Sequence, residues 1–368
     1  LKNKLQVPEE QMTVSRQNRR NLKTMLIITA FISLGAVINA LMEHGFNFAP
    51  VINEFTIGLL FGFAISASEI YFFERKMRRA RFVTLLAVRT LFYLALCTLI
   101  IITVAASRVG FEGNLSYYYV FSHEDLISYI KSPEFTELLI YSIVLSFFVN
   151  FVRQINRFLG QNVLLNYISG KYQPPVEEEL IFMFLDLNSS TTIAEKLGVK
   201  RNHEFLNDFF HEMTDAILEC KGKIYQYVGD EVVLTWSIND GKSDLNCIRC
   251  FFLIQEKINE SKNHFLRNYD VFPEFKAGLH AGAVIAGEIG DIKKDIVYHG
   301  DTVNTTARIE AECNKYGKKF LASDDVLKIL QLNSIYKAVS LGSIKLRGRK
   351  SETRMFSIED NNEPVKTV

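Results

Sequence analysis

The chain has no excess of charge of either sign. Lys and Arg number 42 against 41 Asp and Glu over 368 residues, so net charge argues neither for nor against nucleic acid; no nucleic acid partner is expected. A cysteine framework is also missing. The five cysteines, Cys97, Cys220, Cys247, Cys250 and Cys313, are odd in number and irregular in spacing, which fits reduced cytosolic thiols. Cys247 and Cys250 form a Cys-x-x-Cys, but no second Cys or His pair stands nearby to complete a zinc site. Both are therefore expected on the core face of a helix. Finally, the first long apolar run lacks a small-residue cleavage site and follows charged sequence, so it reads as a retained span rather than a signal peptide.

What the chain does have is apolar sequence concentrated before position 152, in a length that accommodates about two domains. Four stretches, at 22–42, 51–73, 82–106 and 136–152, are long enough to cross a bilayer, which takes roughly 20 residues each. Basic sequence precedes the first ("RQNRRNLK"), separates the second from the third ("ERKMRRAR") and follows the fourth (Arg153, Arg157). The other two loops are poor in Lys and Arg, so both chain ends are expected on the cytoplasmic side of an inner or plasma membrane. Glu69 and Arg89 fall inside spans at matching depths, which makes an intramembrane ion pair one expectation. The alternative is a snorkelling Arg89 and a Glu69 that faces headgroups. The outer loop with Tyr117, Tyr118 and Tyr119 reads either as a binding segment or, more commonly for such a loop, as one that packs on its own bundle. After the last span, "FVRQINRFLGQNVLLNYISGKYQPP" carries a helical apolar stripe interrupted by Gly160 and ended by Gly170 and Pro174. It reads either as a signalling helix that pairs with its copy or as a spacer.

From Glu179 the texture changes. "LIFMFLDL" is a continuous apolar run and predicts a buried strand ending at Asp186. "NSSTTIAEKLG" predicts caps and a short helix stopped by Gly198, followed by a helix to about Cys220. "IYQYVGDEVVLTW" predicts a hairpin that turns at Gly229-Asp230. A long helix is expected over 243–268. "EFKAGLHAGAVIAGEIG" reads as strand, tight turn, strand, and "TVNTTARIEAECNKYG" as a helix ending near Gly317. Short strands are expected at 319–322, 336–346 and 354–358. The order β-α-β-β-α-β predicts an α+β, ferredoxin-like split βαβ core.

In such a core Asp186 and Asp230 end neighbouring strands. Two hard carboxylates on one edge suit Mg²⁺ or Mn²⁺. Ser189, Ser190 and Thr191 open a helix whose backbone N–H groups face a polyphosphate. Asn304 and Arg308 lie four apart on one helical face, a spacing suited to a ribose oxygen and a phosphate. Each residue alone is explained as a cap or a surface charge; together they are not.

"FLDLNSSTTIAEKLG", "YVGDEVVLTW", "GLHAGAVIAGEIG" and "GDTVNTTARIE", in this order, resemble the class III adenylyl/guanylyl cyclase catalytic domain of bacterial, membrane-anchored type, over about 179–358. The resemblance implies a head-to-tail homodimer. Asp186, Asp230 and the Leu187 carbonyl of one subunit would hold two metal ions, and Asn304 and Arg308 of the other would orient ribose and stabilise the transition state. Lys293 and Arg347 match phosphate-binding positions, and Gln226 and Val297 match base-reading ones. These last two depart from the family's usual residues: lysine or glutamate at the first, and Asp, Thr or Ser at the second in adenylyl cyclases. A glutamine amide pairs with either purine edge. A role for Asp295 in place of Val297 would need a register change.

The expected organisation is a cytoplasmic segment 1–21, a membrane domain 22–152, a linker 153–176, a cyclase domain 177–360 and a tail 361–368. The expected activity is conversion of ATP to 3′,5′-cyclic AMP, regulated through the membrane domain by a ligand or partner the sequence does not name. A guanylyl or dual-specificity cyclase, and a silent receptor that uses the domain to dimerise, remain alternatives. A diguanylate cyclase fits less well, because it would leave the Asn-x-x-x-Arg helix without a purpose.

Overall fold

The computed structural model describes residues 9–46, 48–73, 77, 81–112, 117–161, 163–345 and 352–361. The chain divides into two compact units, residues 1–158 and 159–368.

The first unit is helical: α1 (Glu9–His44), α2 (Phe48–Ser68), α3 (Phe82–Glu112), the short α4 (Tyr117–Val120) and α5 (Glu124–Ile130), and α6 (Pro133–Leu159). A π-helical turn, Glu69–Phe73, continues α2. Among the described residues, four segments are long and apolar enough to cross a membrane: Asn21–Met42, Glu54–Phe73, Phe82–Ala106 and Phe135–Leu159. Polarity here is inverted relative to a water-soluble bundle. Phe31, Phe63, Leu91 and Phe148 face outward, while Ser33, Ser66, Glu69, Arg89 and Asn150 are buried. That is the pattern expected where the surroundings are hydrocarbon and polar groups must find partners inside.

Helices α1 and α2 pack through glycine. A Cβ on Gly58 would come within 2.7 Å of the Ser33 Cα, and one on Gly62 within 2.6 Å of the Thr29 Cα, so only glycine lets the two backbones approach this closely. Val120 and Leu126 from the segment between α3 and α6 bury against Ala106 of α3, so that segment does pack on its own bundle. The fourth apolar helix extends beyond the span end expected at 152: α6 continues unbroken to Leu159. Gly160, with φ +102°, then separates it from α7 (Val163–Ser169).

The second unit is built on a mixed sheet. Its elements are β1 (Val176–Leu187), α8 (Ser190–Glu219), β2 (Lys223–Val228), β3 (Glu231–Ser237), α9 (Ile238–Lys242), α10 (Asn246–Glu260), α11 (Lys262–Tyr269), β4 (Phe275–Ile289), β5 (Asp295–His299), α12 (Asp301–Tyr316), β6 (Phe320–Ser323), α13 (Asp324–Leu330), β7 (Tyr336–Ile344) and β8 (Thr353–Asp360). The strand order is β2-β3-β1-β4-β6-β8-β7, with β5 paired to β4.

Strand β1 lies between β3 and β4, antiparallel to both. It is buried on both faces, which is why its sequence is a run rather than an alternation. Ile181, Met183 and Leu185 join Phe205, Phe209, Trp236 and Phe251 in the main core. Phe182 and Phe184 form a second cluster with Val233 and Val284 on the other face, under Val303 and Ala307 of α12. Cys247 and Cys250 are fully buried on α10, as a core reading of that pair requires.

Two expectations fail. The expected strand–turn–strand at 274–290 is one strand, β4, running from Phe275 to Ile289. Its central glycines do not turn the chain; they admit α12. A Cβ on Gly278 would lie 2.4 Å from the Glu310 backbone nitrogen, and one on Gly282 would lie 2.7 Å from Thr302 Oγ1. The expected single helix over 243–268 is broken at Ser261 into α10 and α11, after a 3-10 turn at Ser243–Leu245. Other details follow the local chemistry: Gly198 (φ +71°) interrupts α8, and Gly317 (φ +58°) ends α12 in the left-handed conformation that favours glycine.

Candidate active site

The β2–β3 hairpin turns on Gly229, at φ +65°, which an L-side chain adopts only at a cost. The turn delivers Asp230 beside the end of β1, where Asp186 stands opposite Glu231 of β3. The two aspartates lie close enough for their carboxyl groups to interact. On its other side Asp186 stands opposite Lys276, near the start of β4. Lys276 Nζ donates to Asp186 Oδ2 at 2.7 Å and pairs with Glu310 Oε1 of α12 at 2.6 Å. One ammonium, itself 7% exposed, thus bridges two carboxylates on different elements.

The charge in this corner is out of balance. Lys276 is a cation common to Asp186, Glu231 and Glu310, and Asp230 adds a further carboxylate beside Asp186. Burial, with Asp230 adding to it, raises the Asp186 pKa despite the pull of Lys276. Burial and the neighbouring Glu310, Asp186 and Asp230 push Glu231 up to about 7. Glu310 rises mainly through burial. For Lys276, burial lowers the pKa but the hydrogen bonds it donates to Asp186 and Glu310 outweigh it, so the net direction is upward. Crowded carboxylates of this kind favour a bound cation. Asn188 Oδ1, two residues beyond Asp186, is buried with no hydrogen-bond partner. The donor set of hard oxygens therefore fits a divalent metal of the Mg²⁺ or Mn²⁺ type.

Beyond Asp186, Leu187 ends β1 with its side chain in the main core. Ser189 adopts a left-handed conformation, φ 55°, and its side chain makes no cap, so Ser190 and Thr191 open α8 with the first-turn N–H groups uncapped by it.

Asn304 and Arg308 occupy a different face. Helix α12 buries Thr302, Thr305, Thr306, Ile309 and Glu310, while Asn304 is exposed and donates weakly to the Gly300 carbonyl at 3.5 Å. At 100° per residue, Arg308 projects roughly opposite to Glu310. Within one chain, then, α12 presents Glu310 towards Asp186 and turns Asn304 and Arg308 away from it.

Of the other residues singled out in the sequence, Gln226 is exposed and pairs with Val233, and Val297 is half-buried and pairs with Gly287. Lys293 lies in the β4–β5 turn, almost wholly exposed, 3.8 Å from Asp295. Arg347 lies outside the described residues. Lys276 and Glu310 were not anticipated. The available signal was a lysine inside an otherwise apolar strand, "EFKAGLH", but its partners depend on cross-strand register.

Comparison with known proteins agrees with the fold. The family described as adenylate and guanylate cyclase catalytic domain matches residues 173–360, just over half the chain. Adenylate cyclase 2 of Rhizobium meliloti (strain 1021) is 38% identical over 221 residues, 60% of this chain and 61% of that protein. Adenylate cyclase 1 of the same organism is 29% identical over 49% of this chain and 27% of its own length. The chain therefore spans less than two thirds of these relatives. Among solved structures, a bacterial light-regulated adenylyl cyclase superposes with a TM-score of 0.52 at 22% identity, covering 60% of this chain and 64% of that one, a likeness of fold. With the family match over every strand of the sheet, the chain belongs to the class III adenylate and guanylate cyclase catalytic-domain family.

Proposed function

We propose that this chain is a membrane-anchored adenylyl cyclase that converts ATP to 3′,5′-cyclic AMP and pyrophosphate as a head-to-tail homodimer. The observation that carries the reading is the division of α12. Glu310 faces the Asp186–Asp230 corner while Asn304 and Arg308 face away, so a complete site needs the carboxylates of one subunit and the Asn/Arg pair of another.

Asp186 and Asp230, helped by the Leu187 carbonyl, would hold two Mg²⁺ or Mn²⁺ ions. When bound, these supply Lewis acidity at the ribose 3′-hydroxyl and neutralise the triphosphate. The remaining work belongs to the protein. Asn304 of the second subunit orients the ribose so that the 3′-oxygen lies in line with the α-phosphorus. The 3′-O–Pα bond forms, the bond from Pα to the bridging oxygen of the β-phosphate breaks, pyrophosphate leaves and the hydroxyl proton passes to solvent. Arg308 meets the charge that develops on the α-phosphate in the transition state. The uncapped N–H groups of Ser189, Ser190 and Thr191 face the polyphosphate, with Lys293 and Arg347 towards its tail. Lys276 balances Asp186 and Glu310 in the metal-free protein. Adenine is read by Gln226 and Val297. The four apolar helices span the membrane with both chain ends cytoplasmic and regulate the catalytic unit.

One observation favours a second reading. Neither Gln226 nor Val297 carries a charge, and a glutamine amide both donates and accepts, so GTP is the competing substrate. The test offers ATP and GTP in parallel to purified full-length protein with Mn²⁺, using Asp230→Ala as control. Cyclic AMP that disappears in the variant is expected. No product from either nucleotide, from a protein that still dimerises, would overturn the proposal.

A further inference from the structure

Strand β2 is at the edge of the sheet, and β3, β1 and β4 separate it from β5. The Tyr225 side chain nevertheless joins the two. The β2–β3 register steps from Ile224 opposite Leu234 to Gln226 opposite Val233, which leaves Tyr225 as a bulge with no cross-strand partner. Bulges re-aim side chains, and this one sends Tyr225 over the sheet face formed by Phe182, Phe184, Val233 and Val284. Its ring lies 4.8 Å from that of Tyr298, which in turn meets Phe182 edge-on at 5.6 Å. The Tyr298 backbone N–H donates to the Tyr225 hydroxyl at 3.3 Å. Among the described residues strand β5 pairs only with β4, so this N–H belongs to a sheet edge and needs an acceptor from elsewhere. Tyr225 supplies it.

The two tied residues each adjoin one of the residues assigned to the base: Gln226 follows Tyr225, and Val297 precedes Tyr298. We propose that Tyr225 is a positioning residue for purine selection, whose hydroxyl fixes β2 against β5 and so sets the separation of Gln226 and Val297. The inference rests on the reading of those two residues as the base contacts. Because neither contact is an ion pair, selection between adenine and guanine depends on where a neutral amide is held. A hydrogen bond that fixes the strand bearing it then carries discrimination, although it never touches the nucleotide.

Tyr225→Phe keeps the ring packing and deletes only the tie. In full-length protein with Mn²⁺, the KM for ATP is expected to rise about three- to tenfold with kcat changed less than about twofold, and the ATP-to-GTP ratio of kcat/KM to move towards unity by a similar factor. The melting temperature should stay within about 2 °C of the parent. Gln226→Ala, measured alongside, separates the two levels of the argument. A shifted ratio in Gln226→Ala with an unchanged KM and ratio in Tyr225→Phe overturns the proposal and leaves the base assignment standing. An unchanged ratio in both removes the base assignment, and the proposal with it. A fall in kcat at constant KM in Tyr225→Phe also overturns it, because that marks a general structural role.

Discussion

Arg89 closes on Glu69 at 3.1 Å inside the helical unit, and Arg153 of α6 reaches the same oxygen at 3.3 Å. Tyr93 donates to the other carboxylate oxygen, and the Arg89 guanidinium lies 5.2 Å over the Phe73 ring. Glu69 is 1% exposed and Arg89 5%, so neither snorkels out of the bundle. Two arginines thus share one carboxylate, which constrains any exchange of charge. Reversing either partner alone, by Glu69→Arg or Arg89→Glu, leaves uncompensated buried charge and should cost about 3–5 kcal/mol of stability. The double reversal restores the pair but sets Arg153 against a new arginine, so recovery should be partial. Adding Arg153→Glu to the double reversal should complete it. Thermal stability of detergent-purified protein reads all four variants, and equal melting temperatures for the single and double reversals would contradict a shared carboxylate.

Lys276 makes a comparable argument in the catalytic unit. Replacing it with methionine keeps the aliphatic bulk and leaves Asp186 and Glu310 facing each other without their common counter-charge. In the metal-free protein, Lys276→Met should lose about 3 kcal/mol of stability. Mn²⁺ should restore a good part of it, because a cation at Asp186 replaces the missing charge. A thermal-shift series with EDTA and with Mn²⁺ measures this. A loss of the same size in both conditions would show that Lys276 acts through packing alone.

Much of this arrangement is legible in the sequence, and the exceptions have a common cause. The apolar run before Asp186, the Gly229-Asp230 turn and the Gly317 stop are local signals, and each corresponds to the structure. The pairing of Glu69 with Arg89 is also visible, because helical rise fixes depth in a bilayer. What is hidden depends on register and packing between distant segments. Gly278 and Gly282 look like turn residues because the sequence does not reveal that α12 lies against them. Lys276 meets Asp186 only because β4 pairs with β1 in one register, and Tyr225 reaches Tyr298 only because of a bulge.

Glu231 gives a pH dependence of definite sign. Its folded-state pKa, about 7, lies above the ordinary glutamate value of 4.5, so between these limits the folded state binds more protons than the unfolded one. Metal-free protein should therefore lose stability as pH rises from 5.5 to 7.5, with the effect absent below the unfolded value. Glu231→Gln should flatten that slope, and so should Mn²⁺, by offsetting the negative field of Asp186 and Asp230. Melting temperatures at the two pH values, with EDTA or Mn²⁺, test this. A slope in metal-free parent protein no steeper than that of Glu231→Gln would refute the assignment.

The division of α12 leads to the most direct test of a shared site. Arg308→Ala should lower kcat by about a hundredfold or more while leaving KM for ATP within about threefold, since its partner is charge that develops in the transition state. Asp230→Ala should be inactive for a different reason, the loss of a carboxylate from the opposite half-site. If each site combines Asp186 and Asp230 of one subunit with Asn304 and Arg308 of the other, co-expressing the two inactive chains regenerates activity. In a mixed dimer both defects fall in one site and the other site is intact. Random assembly makes about half the dimers mixed, each with one working site of two, so about a quarter of parental activity should return. Co-expressed chains that stay as inactive as either alone, despite proven mixed dimers, would mean that each site is completed within a single chain.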